Sequence, residues 1–499
     1  MNIQLMKNKL AIIITYGYLM LFIAFQSHGQ TILSLDSAMA TAIRNSPDIE
    51  MAQLNLLISQ ELLNAKNASL KSNFNLQLTP VYYSHGRRFD ETISRWRTTQ
   101  VIQSAATFNI NQPIKWTDGN IRLTNRFLWQ DFESEGSPQN TAFSNSLTLR
   151  LDQPIFTYNR TKLELQELEL DLENSILSYA LQRLNIERLV TQNYYLVYER
   201  ALGLQIAREE LDNTQANFGI IKNKVDAGLL ALEELYQAEL NLSTAKSNYY
   251  NQQVSLENSK DNFKQLIGAN VYEEFIILAD IEANPVPIDL TEAIAHGLDQ
   301  RLELRQRELG IANSQFDLIR TRSFNEFYGN ISATFGLIGD NEDLSQIYNP
   351  ATDNQELSLT FTLPIFDWGE RKSRIKASEA QIQSQELNFD QERIDIIINI
   401  RAVYRNLQNL LNQIEIAKHS VKNAQLTYEI NVERYQNGDL TGMDLNLFQT
   451  QLSEQKIAMT TALIDYKLEL LNMKIQSLWD FETDMSYFPE EIINNLSIE

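Results

Sequence analysis

Three of the four histidines, His85, His296 and His419, and the acidic run Asp340-Asn341-Glu342-Asp343 are the residues past the amino-terminal segment whose types and grouping first suggest moving a proton or holding a metal. The histidines stand isolated, and neither a His-Glu-x-x-His nor a Gly-x-Ser-x-Gly motif occurs. No glycine loop is built to cradle phosphate. The acidic run suggests calcium, but its spacing departs from the EF-hand pattern and reads as a polar loop. With no cysteine in the chain, disulfides, thiolate zinc sites, thiol catalysis and a lipid-anchoring cysteine are excluded. The sequence therefore predicts no enzyme, no metal site and no cofactor, and function has to be sought in architecture.

The chain has 499 residues, of which only 17 are glycine and 10 proline, which favours long uninterrupted elements. A formal charge of -22 argues against a nucleic-acid partner and toward cations or other proteins. Residues 1–29 have the anatomy of a secretory signal: Lys7 and Lys9, an apolar run from Leu10 to Phe25, then Ser27 and Gly29, after which cleavage is expected. The alternative, an amino-terminal membrane anchor, would need a longer apolar run. No later stretch reaches the about 18 apolar residues of a transmembrane helix, so a membrane crossing would have to be made by strands.

An internal repeat dominates the rest. Leu147-Thr148-Leu149-Arg150-Leu151-Asp152-Gln153-Pro154-Ile155-Phe156 returns as Leu357-Ser358-Leu359-Thr360-Phe361-Thr362-Leu363-Pro364-Ile365-Phe366, and Asp226-Ala227-Gly228-Leu229-Leu230 returns as Gln436-Asn437-Gly438-Asp439-Leu440. Both matches share an offset of about 210 residues. Upstream the offset grows by roughly 45, because Leu35-Asp36-Ser37-Ala38 pairs with Leu290-Thr291-Glu292-Ala293, so the first copy carries an insertion. The first repeat is expected over 30–287: a helix, strands over about 74–153 with an extra hairpin, a long helix 160–225, a return helix 229–267 and a connector. The second covers 288–479, with strands over about 329–364, a long helix 371–435 and a return helix 439–478, and 480–499 form a tail.

The strands alternate apolar and polar residues, as in Leu147, Leu149, Leu151 against Thr148, Arg150, Asp152. Segments of about ten such residues fit a transmembrane barrel wall between lipid and a wet lumen, and they fit a soluble sandwich with one wet face equally well. The extra hairpin is expected over Gln103 to Gln112 and Asn120 to Gln130, turning at Asp118-Gly119; its place in the wall is open. Gly86 to Thr98, Asp131 to Thr141 and Gly339 to Gln355 read as extracellular loops, the first made basic by Arg87, Arg88, Arg95 and Arg97. A basic loop of this kind is either simply solvated or in contact with anionic lipopolysaccharide.

The long helices carry two apolar heptad series each, for example Val190, Val197, Leu204, Leu211, Phe218, Val225 in one and Ile400, Leu407, Ile414, Val421, Tyr428, Tyr435 in the other. An offset of 210 is a whole number of heptads. About 65 residues at 1.5 Å each give a helix of roughly 100 Å. Two apolar series separated by Gln, Asn, Glu and Ser suit a helix packed on both sides with a wet inner face.

The junctions Gln153-Pro154-Ile155-Phe156 and Pro364-Ile365-Phe366-Asp367-Trp368-Gly369, with the two glycine turns, resemble the TolC-type outer-membrane efflux protein family, over nearly the whole mature chain. The resemblance implies a mostly α fold with β: an internally duplicated TolC-like fold whose long coiled-coil helices form a periplasmic α-barrel and whose short transmembrane strands form a shared β-barrel. It implies a homotrimer in the outer membrane, extending into the periplasm. Such a trimer is the passive exit duct of a tripartite efflux or type I secretion system, fed by an inner-membrane transporter through a periplasmic adaptor. Adaptor-contacting tips would then be Gly228, Leu229, Gly438 and Leu440. A tyrosine–carboxylate latch at the closed tip falls on Tyr435 and Glu234, and a ring of acidic residues at the constriction falls on Asp444. The acid expected one turn after Asp444 is Leu447, and the arginine of a second latch is Leu440, so this chain departs from the pattern at both. Asp444 and Glu234 read equally well as exposed tip charges. The rival to a duct is a non-transporting trimeric coiled-coil scaffold or surface protein with a solid core, which would present one apolar seam and no barrel strands.

Overall fold

The computed structural model describes residues 31–487 except 92, 93, 137, 278–280, 350 and 438. The expected signal segment and its cleavage after Gly29, the second tip glycine Gly438, and most of the tail lie outside the described residues.

Strand β1 (Thr31–Leu33) leads into helices α1 (Leu35–Asn45) and α2 (Pro47–Ser69). Pro47 is the first residue of α2, where its missing N–H costs nothing and its fixed φ suits a helix start. Four strands follow, β2 (Asn73–Asp90), β3 (Arg95–Ile114), β4 (Gly119–Ser134) and β5 (Asn140–Ile155), then the long helix α3 (Arg160–Asp226), the return helix α4 (Leu232–Ile267) and β6 (Phe275–Ile277). The second repeat runs through α5 (Leu290–Gln300), α6 (Leu302–Ser323), β7 (Tyr328–Asn341), β8 (Thr352–Thr362), α7 (Glu370–Asn437) and α8 (Gly442–Ser477), followed by the two-residue strands β9 (Trp479–Asp480) and β10 (Met485–Ser486).

The described parts of Met1–Gln53, Tyr179–Arg301 and Asp395–Glu499 form one compact unit. Its first-repeat core gathers Ala38, Ala42, Ile186, Val190, Phe263 and Ile267, with Tyr194 set edge-on to Phe263. The same core recurs in the second repeat at the positions the repeat offsets name: Ala293, Gly297, Ile396, Ile400 and Met473. Gly297 stands where Ala42 stands, because a Cβ there would come 2.5 Å from the Ile400 side chain and 3.2 Å from the Gln476 carbonyl oxygen. In the first repeat β1 pairs in parallel with β6, and the buried Lys264 donates to the Val271 carbonyl at 2.9 Å beside Asp261 and Glu274; its counterpart Lys474 pairs with Asp480 at 3.0 Å.

The second unit holds Leu54–Ser178 and Leu302–Ile394. Its helices bury Leu165, Leu177, Leu302 and Leu309 and are also tied by polar contacts. Ser59 meets Ser175 at 2.7 Å, and Arg305 binds Glu173 at 2.6 Å. Arg320 binds Glu167, and Arg307 binds Glu392 at 3.0 Å, so α6 bonds with α3 and with α7. The strands form one antiparallel sheet in the order β2-β3-β4-β5-β7-β8. The extra hairpin is thus inside the sheet. The strands are also longer than the expected ten residues: 18 in β2, 20 in β3, 16 in β4 and β5, 14 in β7 and 11 in β8. The expected loop Gly86 to Thr98 is mostly strand, since pairing continues through Phe89↔Trp96 to Asp90↔Arg95. Likewise β4 runs to Ser134 and β5 starts at Asn140, which leaves a tight connection in place of the expected loop. In Gly339 to Gln355, strand reaches in from both ends around a short 3₁₀ turn at Leu344–Gln346.

Candidate functional site

The sheet has two chemically different faces. Directly paired residues share a face, so the register can be followed from strand to strand. One face carries Leu76, Phe108, Ile110, Leu123, Leu149, Phe335 and Leu359, and the neighbouring row on each strand falls on the other face with Gln77, Asn109, Arg122, Thr124, Thr148 and Thr334. The apolar side chains have nothing over them: Leu76 is 60% exposed, Leu149 47%, Phe335 52% and Leu357 77%. In water such a patch is far larger than a soluble protein tolerates. In a bilayer it is the required outer surface of a strand wall. Of the amides that interrupt the apolar face, Asn125 donates to Asn145 at 3.0 Å, and Asn145 donates in turn to the Tyr348 hydroxyl.

Aromatic residues mark both ends of this apolar band. Where the sheet meets the helices lie Trp116 and Trp368, 88% and 90% exposed, and the packed rings of Phe156, Phe327 and Phe361. Toward the far end Trp129 and Phe143 are paired in register. From Ile121 to Trp129 the strand advances about 26 Å, which at a tilt of about 40° is roughly 20 Å of height, of the order of an outer-membrane apolar band. Among the described residues no helix is long and apolar enough to cross a membrane.

The polar face is laced by side-chain bonds. Thr124 donates to Asn109 at 2.8 Å, Gln103 to Gln130 at 2.8 Å, and Arg150 binds Asp152, which also accepts from Ser332 at 3.0 Å. A face of hydroxyls, amides and paired charges is one that water wets.

The helix tips form the second candidate region, in the first unit. After α3, Gly228 takes φ +72°, and the Leu229 N–H donates to the Lys224 carbonyl at 2.8 Å, a left-handed helix end that suits glycine. The same closure recurs after α7, where the Asp439 N–H donates to the Arg434 carbonyl at 2.9 Å. Leu229 is 74% exposed, and Leu440 is half-buried. Tyr435 is buried at 8% exposure, with the Lys224 ammonium 5.7 Å from its ring centre, and burial pushes its hydroxyl above the usual tyrosine range. Its ring edge and hydroxyl sit 3.8 and 3.9 Å from where a Cβ on Gly442 would lie. Glu234, in the first turn of α4, lines a cavity of about 30 Å³ with Phe218, Ile221, Gly442 and Met443. Tyr435 and Glu234 therefore approach the same turn of α8, and no hydrogen bond joins them in this single chain. Asp444 is exposed and engaged locally: its N–H donates to Thr441 Oγ1 at 3.2 Å, and that hydroxyl donates to Asp444 Oδ2 at 2.7 Å.

Sequence reasoning did not find the cap at Thr441 or the aromatic belts. The Thr-x-x-Asp spacing at 441–444 was the signal for the first, and the clustering of Trp116, Phe156, Phe366 and Trp368 at the strand-to-helix junctions was the signal for the second.

A duplicated chain that couples a two-faced strand wall to helices of 67 and 68 residues defines a class of outer-membrane channels. The family model described as outer membrane efflux protein matches residues 298–473. The chain is 24% identical to the outer membrane protein TolC of Escherichia coli over 357 residues, which covers 66% of this chain and 69% of TolC. It is 21% identical to the cation efflux system protein CusC of Escherichia coli over 51% of this chain, and that alignment spans little more than half of the relative, 56%. Among solved structures, the Campylobacter jejuni CmeC outer membrane channel superposes with a TM-score of 0.70 at 16% identity, covering 93% of this chain and 88% of CmeC. Over most of its length the chain is therefore similar to TolC-type outer-membrane efflux proteins.

Proposed function

We propose that this protein is the passive outer-membrane exit duct of a tripartite efflux or type I secretion system, working as a homotrimer with a periplasmic adaptor and an inner-membrane transporter. The observation that carries the reading is the sheet: six strands, apolar on one face and polar on the other, with both edges open within one chain. Open edges 18 and 11 residues long are strong pairing templates, and closure with further copies removes them. Lipid then contacts the apolar face and cargo passes along the polar one. No bond chemistry is required. The transporter, not the duct, selects the cargo.

In this reading the exposed Leu229, the turn at Gly228, Gly438 and Leu440 meet the adaptor. Tyr435, Glu234 and Asp444 form the gate at the tips. Three Asp444 carboxylates around an axis would make a cation-binding throat, and the buried Tyr435 hydroxyl beside Gly442 would hold the tips inward until the adaptor draws them apart. The test is single-channel conductance of the full chain in planar bilayers. Wild type should open in discrete steps of low conductance, Tyr435→Phe and Glu234→Gln should raise the conductance, and Asp444→Asn should weaken block by multivalent cations. No pore at all would sink the duct. A pore insensitive to all three substitutions would leave the duct standing and remove the gate.

A further inference from the structure

The helices and the strands of the large sheet correspond between the two repeats except at one place. With the upstream offset of 255 residues, α1 maps onto α5 and the start of β2 at Asn73 onto the start of β7 at Tyr328; with the downstream offset of 210, β5 maps onto β8, and α3 and α4 onto α7 and α8. In the second repeat β7 and β8 pair directly. In the first, their counterparts β2 and β5 are held apart by β3 and β4, which account for most of the roughly 45 extra residues. We propose that β3 and β4 are wall strands inserted between two strands of the original repeat, that three chains therefore close an eighteen-stranded barrel where the duplicated unit alone would give twelve, and that the inserted strands line it with a belt of arginines, Arg122 and Arg126, that attracts anions.

The inserted pair behaves as wall, not as an appendage. It pairs with β2 from Asn73 to Asp90 with a single bulge between Thr79 and Tyr82, and with β5 without a break from Asn120 to Phe132. Its alternation is in phase with its neighbours, Phe108, Ile110 and Leu123 continuing the apolar face and Asn109, Thr107 and Thr124 the polar one. Its base is clamped to the helices. Asp118, in the turn, accepts from the Thr161 N–H at 3.1 Å at the start of α3, Gln153 donates to the Thr117 carbonyl at 2.8 Å, and Gln112 donates to the Leu70 carbonyl at 3.1 Å. At a strand spacing of about 4.8 Å and a tilt of about 40°, eighteen strands span roughly 36 Å between backbones against roughly 24 Å for twelve. The barrel is then not the narrowest part of the duct.

Arg122 and Arg126 lie on the polar face of β4, both exposed. Arg122 sits directly across from Arg150, and Asp152 and Glu356 face this pair on the same side of the sheet, so with Arg126 the arginines outnumber the facing carboxylates by three to two. Three copies place six such arginines around the lumen of a chain whose net charge is -22. The inference rests on the trimeric duct, and two experiments separate its failure from that of the duct.

The first is a density map of the full chain in lipid nanodiscs at a resolution that separates strands. Eighteen strands with residues 95–134 in the wall are expected. A closed barrel of twelve with that hairpin outside it overturns the inference and leaves the duct intact, whereas no closed barrel overturns both. The second exploits the absence of cysteine. In bilayers, Arg126→Cys should react with an anionic methanethiosulfonate several-fold faster than with a cationic one and lose conductance on reaction, the preference should shrink when Arg122→Gln is added, and Phe127→Cys should leave the current unchanged. Equal rates for the two reagents, or current loss at Phe127→Cys alone, would contradict the arginine belt.

Discussion

The two helix tips of this chain are built on the same backbone plan and finished differently. Position 231 corresponds to 441 and position 234 to 444 by the repeat offset of 210. At the second tip Thr441 caps α8 and shares a hydroxyl proton with Asp444; at the first the capping position is Ala231, which offers no side-chain bond, and Glu234 is left to line the small cavity against Gly442. Position 225 holds Val225 where its counterpart holds the buried Tyr435. Duplication thus supplied two equivalent acids and two equivalent helix ends, and divergence gave the second tip a side-chain cap and a buried ring that the first lacks. We propose that the first tip is the part that yields when the gate opens.

Removing the ring that distinguishes the second tip should have the largest effect. Tyr435→Ala is expected to cost about 3 kcal/mol of local stability and Val225→Ala about 1, read as loss of amide-exchange protection in the tip helices. Equal losses at the two positions would erase the distinction. Gly228→Val forces a β-branched side chain into a left-handed residue and should cost about 2 kcal/mol, seen as earlier thermal unfolding of the same tip. Thr441→Ala should cost about 1 kcal/mol, while Ala231→Thr should gain a little less and make the first tip resemble the second. If Ala231→Thr also lowers channel opening, the uncapped tip is the functional one; if it stabilises without touching conductance, the asymmetry is only structural.

A smaller asymmetry lies along the long helices. Glu187 occurs where the second repeat has Ile397, and it accepts a hydrogen bond from the Tyr487 hydroxyl of the tail segment. Burial pushes the Glu187 carboxyl above its ordinary value of 4.5. The folded chain therefore holds this proton more tightly than the unfolded chain. Its contribution is most favourable below about 4.5 and is lost as pH rises through the raised value. Glu187→Gln should flatten that part of the stability profile, measured by thermal unfolding across the acidic range. An unchanged slope would mean that other carboxyls set it.

Much of this architecture was legible in the sequence, because a repeat in phase with the heptad leaves long-range identities such as Asp226 to Leu230 against Gln436 to Leu440, and because glycine at 228 has a conformational reason to be there. The strand ends were not legible, and one irregularity explains why. The register of β2 against β3 shifts between Thr79 and Tyr82, so the apolar face is carried by Leu76 and Leu78 before the bulge and by Tyr83 and Phe89 after it. A strict period of two breaks there, and the arginines that alternate with Phe89 and Trp96 gave that stretch the composition of a loop. The tip site was legible as positions and not as geometry: Tyr435, Glu234 and Asp444 come from the resemblance, and the cap that engages Asp444 is visible only once Thr441 is placed at the helix start.

The central claim, that one face of the sheet meets lipid and the other meets water, is tested most directly by single cysteines placed in turn at residues 147–151 and 357–361 of the full chain in intact outer membranes. The account predicts a period of two: Thr148, Arg150, Ser358 and Thr360 positions labelled by a water-soluble maleimide, and Leu147, Leu149, Leu357 and Leu359 positions shielded from it but accessible to a lipid-borne quencher. Uniform labelling of both sets by the water-soluble reagent, as a soluble sandwich would give, would contradict it.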